Sequence, residues 1–332
     1  MKTVHIGLVA DPASPTKIAW RISDLESPGG GDRDHWDIEV VSEPFTTGSE
    51  DVHTALTRLG DHARQHEWDL VVGLTELPLR DDNGRYLLFW TDPQRRTAML
   101  SLPAFGGFGI HSRTRDAVRA LVSGMADPAA LDQHWVPLPR VTGRWRLLSG
   151  MVLANRPWLL VPGLKSALVA ALATGAVATI NSTVWQLATS LSWWRLALAT
   201  IGSVALVVGW LVIDGELWDR PDQDSAQARE RSRLYNTSTL VSLTVGVLIC
   251  YLALYIVNLG WALFILDPAV VGGSLHTSLG FGDLFVLAWF VASAATVGGG
   301  LGSGLESDEA IRAAAYSKRE EERRTRLAHE RG

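Results

Sequence analysis

Cysteine is almost absent. Cys250 stands alone inside an apolar run, so no disulfide can close within the chain and no cysteine-based metal centre can be built. An excess of positive charge is missing too. Thirty Lys and Arg face 35 Asp and Glu, and the net charge of −5 gives no reason to expect a nucleic-acid partner. No G-x-G-x-x-G follows the first apolar segment and no G-x-x-x-x-G-K-[ST] occurs anywhere, which removes the two common phosphate fingerprints. The N-terminal MKTVHIGLVA lacks the long apolar core of an export signal; it alternates like a strand and runs into Asp11-Pro12. The last scarcity is the most telling: from Trp158 to Gly304, charge retreats to a few short loops.

What fills that stretch is apolar. Residues 158–180 read WLLVPGLKSALVAALATGAVATI, with Lys165 as their single charge. A helix of this length would extend roughly 35 Å, enough to cross a hydrocarbon layer of about 30 Å. Comparable runs cover 193–213, 240–266 and 284–301, so the pattern predicts an all-α domain of four spans over 158–304 in a lipid bilayer. Arg140, Arg144, Arg146 and Arg156 precede the first run, and Arg220, Arg229, Arg231 and Arg233 fill the loop after the second. Arg312, Lys318, Arg319, Arg323, Arg324, Arg326 and Arg331 crowd the tail, 305–332. The other two loops, 181–191 and 267–282, hold no Lys or Arg. This alternation predicts a bacterial inner-membrane protein with both termini in the cytoplasm. Trp158, Trp185, Trp193, Trp194, Trp218 and Trp261 fall where an interfacial aromatic belt belongs.

Residues 1–135 read differently. Strands are expected at 4–10, 36–41 and 69–74, with a helix at 14–26 capped by Ser14 and another at 51–66 between them. Further strands at 86–90 and 97–102 follow the turn Asp82-Asn83-Gly84, and a last helix, capped by Ser112, runs to Met125. The order predicts a cytoplasmic α/β domain with a mostly parallel sheet and an antiparallel edge, joined through a connector at 136–157 to the spans.

In such sheets ligands lie beyond the carboxyl ends of the strands, where strand order reverses. That rule selects Asp11, Ser14, Glu43, Thr75 and Glu76 as candidates for a small-molecule ligand, either a polyol-like molecule or a hard cation held by oxygens. A second candidate, for an anion, is the turn Gly107, Gly109, Ser112 and Arg113 at a helix start, where free N–H groups gather. His62 and His66 stand one helical turn apart. They lack the Glu of H-E-x-x-H and any identifiable third ligand, so no metal site is assigned to them. No cofactor is named by any motif.

In the apolar half, Lys165 lies about two turns into the first run, Arg195 lies near an outer end and Asn258 is polar but shallow, and no carboxylate lies mid-span, which argues against a proton-coupled pump. Gly298 and Gly302 have the small-x-x-x-small spacing of close helix packing, within the chain or in a homo-oligomer. The stretches WDLVVGLTELPLR, TAMLSLPAFGG and LGSGLESDEAIRAAAY resemble a family of uncharacterised bacterial membrane proteins across most of the length. That resemblance implies an N-terminal α/β domain with four spans and transfers no activity. Some relatives carry the label methylenetetrahydrofolate dehydrogenase, but no Tyr here precedes a Lys by four positions. The turn Pro28-Gly29-Gly30 continues as Gly31-Asp32, unlike that enzyme family's P-G-G-V-G-P-like cofactor turn. The leading expectation is therefore a ligand-sensing membrane protein without catalysis. A membrane-tethered enzyme and a small-solute transporter are the alternatives.

Overall fold

The computed structural model describes residues 3–26, 35–46, 52–81, 84–126, 135–139, 141–221, 226–275 and 279–302. The chain divides into two compact units, one ending at Ala154 and the other beginning at Asn155.

The first unit is built on a mixed sheet. β1 (Thr3–Ala10), α1 (Ser14–Ile22), β2 (His35–Ser42), α2 (Val52–Gln65) and β3 (Leu70–Thr75) alternate as expected. β4 (Leu79–Arg80), β5 (Tyr86–Asp92) and β6 (Thr97–Ser101) follow, and then α3 (Ile110–Ala126), β7 (Trp135–Pro137) and α4 (Thr142–Ala154). The strand order is β2-β1-β3-β6-β5-β4, with β7 also paired to β5. β2, β1, β3 and β6 run parallel, whereas β5 is antiparallel to β6, β4 and β7.

Alternation along the strands separates two cores. Ile6, Leu8, Leu70, Val72, Leu74 and Leu100 face Ala19 and Ile22 of α1 and Val118, Leu121 and Val122 of α3. Val9, Val71 and Met99 face Leu56 and Leu59 of α2, together with Phe45. Because β2 lies on one side of β1 and β3 on the other, the two crossovers run in opposite directions. Right-handed connections then put α1 and α2 on opposite faces.

Three expectations are corrected here. Ser14 does not cap α1: the cap position is Ala13, and no side chain caps it. α3 begins two residues before Ser112. The stretch expected to be a connector holds β7, which pairs with β5, and α4, whose Gly150 packs on the backbone of Pro103 so closely that a Cβ would lie 2.2 Å from the Pro103 carbonyl oxygen. The loop at 28–31 and the tail lie outside the described residues.

The second unit is helical. α8 (Trp193–Asp214), α9 (Ala226–Ile265) and α11 (Phe281–Gly302) are each long and apolar enough to cross a membrane. The first expected span is not a single straight helix. A 3-10 turn (Pro157–Leu159) leads to the short α5 (Leu160–Gly163), and α6 (Lys165–Thr179) follows after a 55° bend. Pro157 and Pro162 interrupt the backbone ladder, and Arg156 ahead of them is left-handed at φ 50°. This broken segment packs so tightly on α9 that a Cβ on Gly246 would lie 2.2 Å from Leu160. The expected loops hold α7 (Ser182–Ser190) and α10 (Pro268–Leu275).

Candidate functional site

The reversal of strand order falls between β1 and β3, and the residues that follow those strands meet there. The Asp11 N–H donates to the Leu74 carbonyl at 3.0 Å, which sets the loop after β1 against β3. The Asp11 carboxylate is 1 % exposed. Its Oδ2 accepts from the Thr75 hydroxyl at 2.6 Å and from the Thr46 hydroxyl at 3.2 Å. Thr75 Oγ1 also accepts from the Leu77 N–H at 3.0 Å. One strand further along, Ser101 sits in register with Thr75 and donates to the Leu77 carbonyl at 2.8 Å. A row of buried oxygens thus crosses the carboxyl ends of three neighbouring parallel strands.

The turn into α1 lies beside this row. Ala13 has φ 81° and ψ −112°, a conformation that strains any residue with a Cβ by about 1–3 kcal/mol. Behind it the Thr16 hydroxyl donates to the Asp11 carbonyl at 2.9 Å and lies 2.7 Å from Ser42 Oγ at the end of β2. Ser14 is half-buried in the first turn of α1.

Of the five candidate residues, Asp11 and Thr75 are joined directly, and Glu76 follows Thr75 half-buried. Glu43 is held beside β1 through its N–H, which donates to the Ala10 carbonyl at 3.0 Å. Its carboxylate is exposed and lies 3.8 Å from His62 Nδ1 on α2, not on Asp11. His66 stacks on Trp68, with ring centres 4.6 Å apart. Among the described residues no three His, Cys, Asp or Glu side chains converge, so the hard-cation reading of the crevice lacks a ligand set. Thr46 was not predicted. It reaches Asp11 only because β2 and the residues after it fold back beside β1, and nothing in its local pattern signals that.

The glycine turn before α3 serves packing. Gly106 is left-handed at φ 84°, and a Cβ there would lie 3.0 Å from Arg146 Cγ on α4. At Gly107 it would lie 3.2 Å from the Ser149 carbonyl oxygen. Gly109, also left-handed at φ 66°, stands just before α3. The Ser112 hydroxyl donates to the Gly109 carbonyl at 3.1 Å, and Arg113 donates to the Phe105 carbonyl at 2.7 Å. The Gly106 N–H donates to the Pro103 carbonyl at 3.0 Å, so Gly106 and Ser112 each make a polar contact within the turn, and Gly106 and Gly107 pack closely on α4. The guanidinium of Arg113 instead meets that of Arg146, an unpredicted neighbour, across an open cavity of about 500 Å³ that Phe105 and Asp116 also line.

In the helical unit, Asn258 is 2 % exposed and donates to the Leu254 carbonyl of its own helix at 2.8 Å. It abuts Gly175 of α6, where a Cβ would lie 2.3 Å from its Oδ1. Lys165 is exposed at the start of α6. A nearby cavity of about 30 Å³ is lined by Leu164, Ala167, Val207, Val247 and other largely apolar groups. It is large enough for one water and has almost nothing to hold it. The polar centre of the bundle is a closed network. Thr200 on α8, Tyr251 on α9 and Ser293 on α11 have hydroxyls 3.0–3.2 Å apart, and Trp289 Nε1 donates to Thr200 at 2.7 Å. Gly298 touches nothing across helices, whereas Gly299 meets Ala167 and Ala171 of α6. The close approach thus falls one residue from the predicted Gly298. No family model matches the chain, and no match was found among curated proteins or solved structures.

Proposed function

We propose that this chain is a polytopic protein of the bacterial inner membrane, related to the four-span family that its sequence resembles. Its α/β unit faces the cytoplasm and binds a small polar ligand in the crevice between β1 and β3. Ligand state is relayed to the spans; the chain is not an enzyme.

The observation that carries the ligand site is the Asp11–Thr75 hydrogen bond at the strand-order reversal, under a strained Ala13. Strain of this kind persists where a surrounding structure over-determines it, and it concentrates at ligand-binding turns. Asp11 is occupied by two threonine hydroxyls, a poor arrangement for a general base and a good one for fixing a loop's shape. Ser42, Thr16 and the uncapped first turn of α1 supply donors and acceptors nearby. The inner-membrane reading rests on three long apolar helices, on the bent pair Thr142–Gly163 and Lys165–Thr179 taken as a fourth span, and on the strict alternation of basic and Lys/Arg-free loops. The small apolar cavity and the packed Asn258 weigh against transport through the bundle.

Two measurements test this. The first is thiol accessibility: Cys250→Ser removes the sole cysteine, and Gln186→Cys or Gly273→Cys is then labelled with an impermeant reagent in intact cells. Labelling from outside is expected at both positions; labelling only after lysis would overturn the topology. The second is a metabolite thermal-shift screen on the full chain in nanodiscs, repeated with Ser42→Ala and Asp11→Asn. A ligand that stabilises wild type and both variants equally binds elsewhere.

A further inference from the structure

We propose that the cavity between α3 and α4 is a binding site for a small oxyanion, a phosphate or carboxylate group, gripped by Arg113 and Arg146. It stands apart from the crevice between β1 and β3 and does not depend on that reading.

Three observations converge on the cavity. The first is uncompensated charge. Among the described residues neither arginine forms an ion pair, although both line one cavity. Two guanidiniums on one cavity repel each other, and their repulsion is relieved most directly by an anion between them. The second is an orphan donor. Arg146 Nε is buried and has no acceptor among the described residues. A buried N–H without a partner is costly, by about 1–3 kcal/mol, more for a charged group, and a bound oxygen would satisfy it. The third is rigidity. Gly106 seats the Arg146 stem, Gly150 locks α4 onto the Pro103 backbone, and Arg113 is anchored through one Nη to the Phe105 carbonyl. Each guanidinium is thus held on a rigid element with N–H groups to spare, and forked donors of this kind match carboxylate and phosphate oxygens.

Burial, and then the neighbouring Arg113, hold the Arg146 pKa below its ordinary value, as expected of a desolvated cation beside a like charge. Asp116 lines the same cavity and lowers its net formal charge to +1. That balance favours one compact oxyanion over a polyphosphate, whose several charges would meet Asp116 as well.

The test uses the full chain in phosphatidylcholine nanodiscs, titrated calorimetrically with inorganic phosphate at constant ionic strength, and with sodium acetate alongside. Saturable binding of one of the two is expected, weakened at least tenfold by Arg146→Gln and by Arg113→Gln. Should Arg146→Gln fail to fold, Arg113→Gln, whose side chain is exposed, decides alone. Repeating the titration in phosphatidylglycerol nanodiscs separates the sources of the anion. Unchanged affinity means a soluble ligand, and weakened affinity means that a lipid headgroup competes for the same arginines. Absence of saturable binding for both probes in both lipids, or variants that bind as wild type does, would overturn the site.

Discussion

The two units of this chain solve opposite problems with the same side chains. In the sheet unit, Ile6, Leu8, Leu59, Leu74 and Met99 are wholly buried, and the apolar faces of α1, α2 and α3 all point at strands. In the helical unit, only a third of the most apolar stretch of α8 is buried, and the same holds for α9. Val177, Leu198, Ile201, Ile213, Leu252, Ile256 and Phe264 face outward instead. α8, α9 and α11 are each long and apolar enough to cross a membrane, and outward apolar residues in such numbers fit apolar surroundings, so we read the difference as one of solvent and not of packing quality. Polar groups follow the same division. The sheet unit gathers buried oxygens at its strand ends, and the bundle ties Thr200, Tyr251 and Ser293 into a ring of hydroxyls.

The sharpest way to break this comparison is to place one charge at an equally exposed position in each unit. Ile201 on α8 and Trp20 on α1 are 64 % and 62 % exposed. In lipid, Ile201→Arg costs about 3 kcal/mol of insertion free energy. In water, Trp20→Arg stays within about 0.5 kcal/mol. Membrane-integrated yield and thermal unfolding of each variant read the two effects. If Ile201→Arg integrates and unfolds as wild type does, the helical unit is not bathed in lipid.

The next effect belongs to the sheet unit. Asp11→Ala leaves the Thr75 and Thr46 hydroxyls without their buried acceptor, a loss of about 2 kcal/mol. Chemical denaturation of the full chain, followed by hydrogen exchange of the β1 and β3 amides, would report it. No change in midpoint would mean that the carboxylate is not structural, and the crevice would lose its anchor.

The division between the units was legible because it rests on composition and period, which are local. β1, β2, β3 and α2 follow from alternation to within one residue, whereas α1 ends at Ile22, four residues before the expected Glu26, and lacks the expected cap. Asp11 and Thr75 were legible as partners because strand order and the position of strand ends together dictate the meeting place. What the sequence hid was tertiary. Thr46 and Arg146 acquire their roles from elements distant in the chain, and Glu43 turns toward His62 because α2, not the crevice, lies beside it. The break at Leu164 was foreshadowed by Pro157 and Pro162, yet the nearly unbroken apolar run over 158–180 masks them. Such a run dictates which solvent a segment tolerates, not whether its helix is straight.

A smaller effect sharpens the comparison from the bundle's side. Thr200→Val removes the oxygen that accepts from Trp289 and lies beside Tyr251 and Ser293. Hydrogen bonds between helices in lipid average about 0.6 kcal/mol, because the separated helices also find partners. The loss should therefore fall well below that of Asp11→Ala, although Thr200 has as many polar neighbours. Unfolding in mixed detergent by both variants gives the ratio directly. Equal losses would mean that the bundle interior behaves like the core of a water-soluble domain.

The smallest effect is one of pH, and it belongs to the sheet unit alone. Arg21 on α1 can only donate, so its contact with His111 Nε2 at 3.0 Å needs an imidazole nitrogen that carries no proton. Partial burial, and then the charge of Arg21, lower the His111 pKa below its ordinary 6.5. The unfolded chain therefore takes up a proton before the folded one does. Stability from this contact is complete above about pH 6.5, falls as the pH drops through that value, and levels off once the folded histidine also titrates. His111 is exposed, so solvent screens the interaction and the slope is shallow. Unfolding midpoints at pH 7.5 and pH 5.5 should differ less for His111→Asn than for wild type. An identical difference in both would assign the acid sensitivity to other groups and leave α1 and α3 held by their apolar contacts alone.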